Sequence, residues 1–274
     1  MTPPRRISAR SIRGIATAAA LILLGVTPAV ADDPRWSFTT AVFYSVGDYG
    51  TDKDTTIVYV PFTLGVTPID RFTVSVTVPY IRQTGQNVVV TGGGVAVRRR
   101  GQSTSSTSTS SETEDGLGDV LLKGSFVVLR DEGLVPEVAP YVRIKFPTAD
   151  EDRGLGTGEF DETIGVELSK RLVDRLTGFL SLSYTFVGDP SGLDLHDSFG
   201  WSIGADYAVT PPISVFAVLE GSTAIDPSQQ DPLELRVGAE FRLAKGLSLT
   251  GAVSRGLSDG SADWGVSASL EVRF

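Results

Sequence analysis

The chain contains one histidine and no cysteine, so few of its residues are equipped for nucleophilic or acid-base chemistry. His196-Asp197-Ser198 sets the imidazole two positions before a hydroxyl, a spacing that turns both side chains to one face of an extended segment. Such a pair suits ester hydrolysis, as in a lipid hydrolase, provided that a third group orients the imidazole. No third group is in place. The only asparagine is Asn87, in a different connecting segment, and Asp206 lies beyond Ser198 by eight residues, roughly 26 Å along a strand. A loop histidine that titrates without consequence is the simpler reading. Lack of cysteine removes thiolate catalysis, disulfides and a lipidated N-terminal cysteine. Gly154-Leu155-Gly156-Thr157-Gly158 lacks the Lys-Ser/Thr end of a phosphate loop. The sequence therefore predicts no catalytic residue, no cofactor and no metal site.

Strands must position whatever these residues do. From Trp36 onward apolar and polar residues alternate with a period of two, which sends the two sets to opposite faces of a sheet. The pattern recurs in twelve segments, at about 36–46, 55–66, 71–82, 119–129, 137–147, 161–172, 176–187, 198–209, 213–223, 233–243, 247–257 and 263–274. An even number suits a closed antiparallel barrel. Connections after the even-numbered segments are short and hold turn formers such as Pro68-Ile69-Asp70, Pro211-Pro212 and Lys245-Gly246, whereas most after the odd-numbered ones are longer. Short periplasmic turns on one rim and longer extracellular loops on the other mark a barrel that crosses the bacterial outer membrane.

A soluble β-sandwich also alternates, but it would gather its aromatic residues at mid-strand. Here sixteen of the 23 aromatics fall on the apolar parity in two belts. Trp36, Phe38, Phe62, Phe72, Phe126, Tyr207, Phe241 and Phe274 lie toward the turn side; Tyr44, Tyr80, Phe146, Tyr184, Phe186, Phe199, Trp201 and Trp264 lie toward the loop side. Amphipathic rings favour the two membrane interfaces. The last segment places Trp264, Val266, Ala268, Leu270, Val272 and Phe274 on one face and ends on the aromatic, so Phe274 is a candidate signal for the barrel-assembly machinery. The fold expected is all-β: a transmembrane, up-and-down antiparallel barrel of about 12 strands.

Residues 1–31 read as a secretory signal peptide: Arg5, Arg6, Arg10 and Arg13, then an apolar stretch from Ile15 to Val26, then Ala29-Val30-Ala31 as a cleavage site. The barrel would occupy 32–274, with 20 basic against 33 acidic residues. So acidic an exported chain is a poor partner for nucleic acid. Outer-membrane lipid and lipopolysaccharide, the assembly machinery and a small-molecule solute are the partners expected.

Three short motifs follow one another in the first half of the barrel: Gly116-Leu117-Gly118-Asp119, Pro147-Thr148-Ala149-Asp150 and Gly154-Leu155-Gly156-Thr157-Gly158. Their order resembles the outer-membrane transporter-like family named for the MetA pathway of phenol degradation, with Ala149 in place of that family's usual glycine. The resemblance implies a surface barrel that passes hydrophobic or aromatic compounds. Read on their own, the glycines relieve crowding in turns and bulges, and the Asp and Thr side chains hydrogen-bond backbone where loops begin.

The inward parity carries the polar set. Candidate lumen residues are Tyr59, Lys123, Tyr141, Arg143, Lys145, Glu167, Phe179, Phe216, Arg236 and Glu240. Lys123, Arg143 and Lys145 form a column beside Asp161 and Glu167, placed for cross-strand ion pairs. The inward rings could form an apolar path or merely pack. Residues 83–118 form the long surface loop: a hairpin-like Val88 to Val97, then Arg98-Arg99-Arg100 and an unbroken Ser/Thr run from Ser103 to Ser111 that favours disorder. Its arginines either meet inward acids such as Asp119 or Asp161 and gate entry, or touch lipopolysaccharide. Tyr49 is read as an exposed loop residue. The function expected is an outer-membrane channel or transporter for small molecules, with a plugged structural or surface-interaction barrel as the alternative and a lipid hydrolase as the third.

Overall fold

A computed structural model describes residues 35–49, 54–85, 88–90, 96–98, 112–190 and 195–274. Its strands are β1 Trp36–Gly47, β2 Thr55–Ile69, β3 Phe72–Gly85, β4 Val88–Val90, β5 Ala96–Arg98, β6 Glu112–Leu117, β7 Val120–Phe126 and β8 Glu137–Phe146. They continue with β9 Asp161–Val173, β10 Leu176–Phe186, β11 Ser198–Thr210, β12 Ile213–Ser222, β13 Leu233–Ala244, β14 Leu247–Gly256 and β15 Trp264–Arg273. Each wall strand pairs antiparallel with its sequence neighbour, and β1 closes on β15 from Ser37↔Arg273 to Val46↔Trp264. Because β6 and β7 both pair with β3, one above the other, they form a single interrupted wall strand, and the barrel has twelve. Closure leaves no unpaired edge, as a sheet in hydrocarbon requires.

The interruption has a local cause. Tyr80 pairs with Leu117 but Thr77 with Leu121, so one extra residue is accommodated opposite Val78-Pro79. Proline cannot donate to a ladder, and a bulge beside it absorbs the loss while re-aiming the next side chain. Gly118 still donates to the Pro79 carbonyl at 2.9 Å, and Asp119 is turned into the barrel.

The burial pattern is that of a globular protein turned inside out. Only eight hydrophobic residues are buried among those described, whereas Val42, Leu64, Val76, Val142, Ile164, Ile203, Val237, Leu249 and Val253 stand 40–53% exposed around the outside. An unbroken apolar belt of this extent is stable only against lipid. The belts of rings flank it: Phe72 faces Phe126 at the turn side, while Tyr44 and Trp264 lie 5.6 Å apart between ring centroids at the loop side.

The segment 83–118 is shorter as a loop than the sequence suggested. β3 runs on to Gly85 and β6 returns beside it from Glu112, so both ends of the segment are wall strand extended beyond the belt. β4 and β5 form the small hairpin. Arg99, Arg100 and the Ser/Thr run lie outside the described residues.

Candidate functional site

All ten candidate lumen residues are on the inward parity of their strands. Three of the rings have a seat: Tyr141 pairs with Gly165, Phe179 with Gly204 and Phe216 with Gly238 on the next strand. A Cβ added at these glycines would come within 2.5, 2.4 and 2.5 Å of the respective ring atoms. The rings therefore lie flat over glycine backbone and line the wall instead of crossing the lumen. Lys123 reaches over the Tyr141 ring, 4.3 Å from its centroid, to Glu167 at 2.5 Å.

Toward the loops the three glycine-rich motifs interlock. Asp119 accepts hydrogen bonds from the Thr148 and Ala149 amides, both at 3.0 Å, and the Thr148 hydroxyl donates to the Gly118 carbonyl at 3.3 Å. The Lys145 ammonium lies 2.9 Å from Asp161, 3.5 Å from Asp119 and 2.6 Å from the Thr157 hydroxyl, with its side chain only 3% exposed. Positive φ at Gly154 and Gly158, 72° and 75°, bends the intervening loop inward. Leu155 at its tip is 1% exposed and packs with Tyr49, Ile57, Ile81 and Ala262. The 147–160 loop thus fills the side of the mouth nearest β1–β3, held by an apolar tip and a buried ion cluster.

Tyr49 is accordingly not an exposed loop residue. It is 5% exposed, shares a 3.0 Å hydrogen bond with Ser45, and its burial pushes the phenol up to about 12. The sequence reading failed there because a lone tyrosine between Asp48 and Gly50 carries no periodic signal.

Below the loop a cavity of about 540 Å³ opens toward β9–β15. Hydroxyls dominate one wall, among them Ser181, Ser183, Thr185, Ser198, Ser202 and Ser267. Charged groups face it as well, Lys145 and Asp161 among them. Arg236 bridges Glu220 at 2.5 Å and Glu234 at 3.0 Å, whereas Arg143 makes one hydrogen bond among the described residues, to the Thr163 hydroxyl at 3.4 Å. At the turn side Glu240 and Arg242, 3.3 Å apart, and Glu271 and Arg273, 2.9 Å apart, line a second space of about 380 Å³.

Tyr59, Arg143, Lys145 and Arg236 thus meet at the upper cavity, Glu240 belongs to the lower one, and Lys123, Tyr141, Glu167, Phe179 and Phe216 clothe the wall. The ion pairs Lys145–Asp161 and Lys123–Glu167 form within the column read from parity. Sequence reasoning missed Leu155 and Thr157 as mouth residues; their signal was the glycine framing, which had a bland turn reading. His196 and Ser198 make no hydrogen bond to each other: the serine donates to the Thr223 carbonyl at 2.8 Å, and Asp197 accepts from Tyr184. Phe274 exchanges backbone hydrogen bonds with Trp36, both 2.9 Å, at the closing seam.

Fold and lumen together define a transmembrane β-barrel of the outer-membrane type. The chain belongs to the family described as "Putative MetA-pathway of phenol degradation", whose profile matches residues 81–274. An outer membrane channel from Pseudomonas putida F1 has a similar structure: TM-score 0.67, 17% identity, covering 91% of this chain and 100% of that one. The KdgM porin gives 0.54 at 9% identity over 87% and 99%. The translocator domain of the autotransporter NalP from Neisseria meningitidis gives 0.51 at 12% identity over 94% and 92%. No curated protein sequence matches the chain. At these identities the likeness is one of fold, and a porin and a translocator share it.

Proposed function

We propose that this barrel is a passive channel for small solutes in the bacterial outer membrane, delivered there after removal of residues 1–31. The observation that carries the reading is the upper cavity of about 540 Å³, walled by hydroxyls and paired charges inside a closed apolar cylinder. A wall of this kind hydrates a passing solute, and a channel needs contacts that are polar yet weak enough to release it. The seated rings argue against a continuous greasy conduit, so the solutes suited to the lumen are polar or amphipathic. Lipid and lipopolysaccharide surround the apolar belt, and the assembly machinery engages the strand that ends at Phe274. No catalytic step or cofactor enters this reading.

Planar-bilayer recording of the purified protein tests it. Discrete conductance steps in potassium chloride support the channel; a silent bilayer containing verified folded barrel refutes it. Mass spectrometry of the exported protein tests cleavage, with Asp32 the expected first residue.

The second reading, a plugged barrel that presents its loops, draws on one feature, the Leu155 tip packed across part of the mouth. The same recording separates the two.

A further inference from the structure

Arg143 is the one inward cation of the column without an anionic partner among the described residues. Lys123 has Glu167 and Lys145 has two aspartates, but the Arg143 guanidinium spends one contact, at 3.4 Å, on Thr163. A guanidinium carries five N–H donors in a planar fork that matches a carboxylate. It opens onto the upper cavity beside Tyr59, whose ring lies 6.1 Å from that of Phe43 and whose hydroxyl has no hydrogen-bond partner among the described residues. A charged fork, a free phenol and two tilted rings therefore converge on one wall of an accessible space.

We propose that this wall binds small organic monocarboxylates. The carboxylate takes the Arg143 fork, and the flat or apolar body of the solute lies against Phe43 and Tyr59. The far side of the cavity sets a limit on charge. Glu220 and Glu234 share one Arg236, which leaves a negative excess there that disfavours a second carboxylate on the same solute. The site therefore prefers one carboxylate to two, and a carboxylate to its neutral amide. This deepens the channel reading and rests on it for transport, though the binding itself does not need conduction.

Calorimetric titration of the intact barrel in detergent micelles, with benzoate, benzamide and terephthalate as probes, decides the matter. Benzoate should bind, and both others at least about tenfold more weakly: benzamide lacks the charge that the Arg143 fork pairs, and terephthalate turns a second carboxylate toward Glu220 and Glu234. Arg143→Gln should weaken benzoate binding by about tenfold or more while benzamide is unaffected. Arg143→Lys keeps the charge and guards against a folding defect: it should bind benzoate more tightly than Arg143→Gln. Equal binding of benzoate and benzamide to the wild type, or undiminished benzoate binding by a folded Arg143→Gln, overturns the proposal. A barrel that binds benzoate through Arg143 but does not conduct would overturn the channel and keep the site; a conducting barrel without Arg143-dependent binding would do the reverse.

Discussion

Replacing Lys145 with methionine tests whether the buried ion cluster holds the mouth. Methionine keeps most of the stem and its packing, so the change removes chiefly the charge and the 2.6 Å hydrogen bond to Thr157. Two carboxylates, Asp119 and Asp161, would then sit 3% and 10% exposed without their cation. Asp119 would keep two backbone amides and Asp161 one, from Gly188 at 3.0 Å. Removing one partner of a buried pair costs about 3–5 kcal/mol, or roughly two to three and a half powers of ten in the unfolding equilibrium. Urea titration in micelles, read by the gel shift between folded and heated barrel, measures that loss. Adding Asp119→Asn and Asp161→Asn should recover most of it, because a fully neutral cluster has no uncompensated charge while each amide oxygen still accepts from the backbone. The reasoning is refuted by a loss below about 1 kcal/mol, the scale of a solvated surface pair, or by a triple variant no more stable than the single.

Three further outcomes are expected. Gly204→Ala should destabilise the barrel by about 1–3 kcal/mol, because its Cβ would meet Phe179 at 2.4 Å and the Ala217 carbonyl at 2.6 Å; Gly251→Ala, with nothing within 4 Å, should be close to neutral in the same titration. Deleting Phe274 should lower the yield of folded barrel in outer membranes, whereas Leu134→Ala, at a turn residue 97% exposed, should not. In the turn after β7, the Lys170 hydrogen bond and the Arg171 amide hold the Asp131 carboxyl below its ordinary value of 3.8. Its contribution is therefore present above that value and lost as pH falls through the lowered one. The Arg171 amide resonance should titrate with a midpoint below 3.8 and not at all in Asp131→Asn; a midpoint at or above 3.8 contradicts the contact.

The wall was legible because a barrel strand meets lipid on one side and lumen on the other, so period-two alternation survives along its whole length. Trp36 to Val46, read from the sequence, pairs as β1 with β15 on one side and β2 on the other. The ion pairs of Lys123 and Lys145 followed from the same parity, since residues of one parity on adjacent strands share a face. The glycine seats were within reach too: an inward aromatic opposite an inward glycine on the next strand occurs three times, at Tyr141, Phe179 and Phe216, and register alone would have paired them. The mouth was not legible. Leu155 is a single apolar residue between glycines, and its partners Ile57 and Ile81 lie about a hundred and more than seventy positions earlier in the chain, so no local pattern announces that it turns inward.

That inward turn also reassigns the question of gating. The arginines near position 98 were attractive gate residues because Asp119 and Asp161 offered them inward acids. Both acids are already engaged by Lys145 and by backbone amides. An arginine arriving from the 83–118 segment would have to displace a lysine that is 3% exposed, leaving that ammonium buried and unpaired. The exchange returns no net charge compensation and adds a desolvation cost. A change in the width of the mouth is therefore cheaper through the 147–160 loop, where it requires the Leu155 side chain to leave its apolar cluster, a loss of about 2 kcal/mol for one leucine. The ion cluster at the base of the loop can stay intact while the tip moves, because Asp119 and Lys145 anchor its stem at Thr148, Ala149 and Thr157 and Leu155 lies between those anchors.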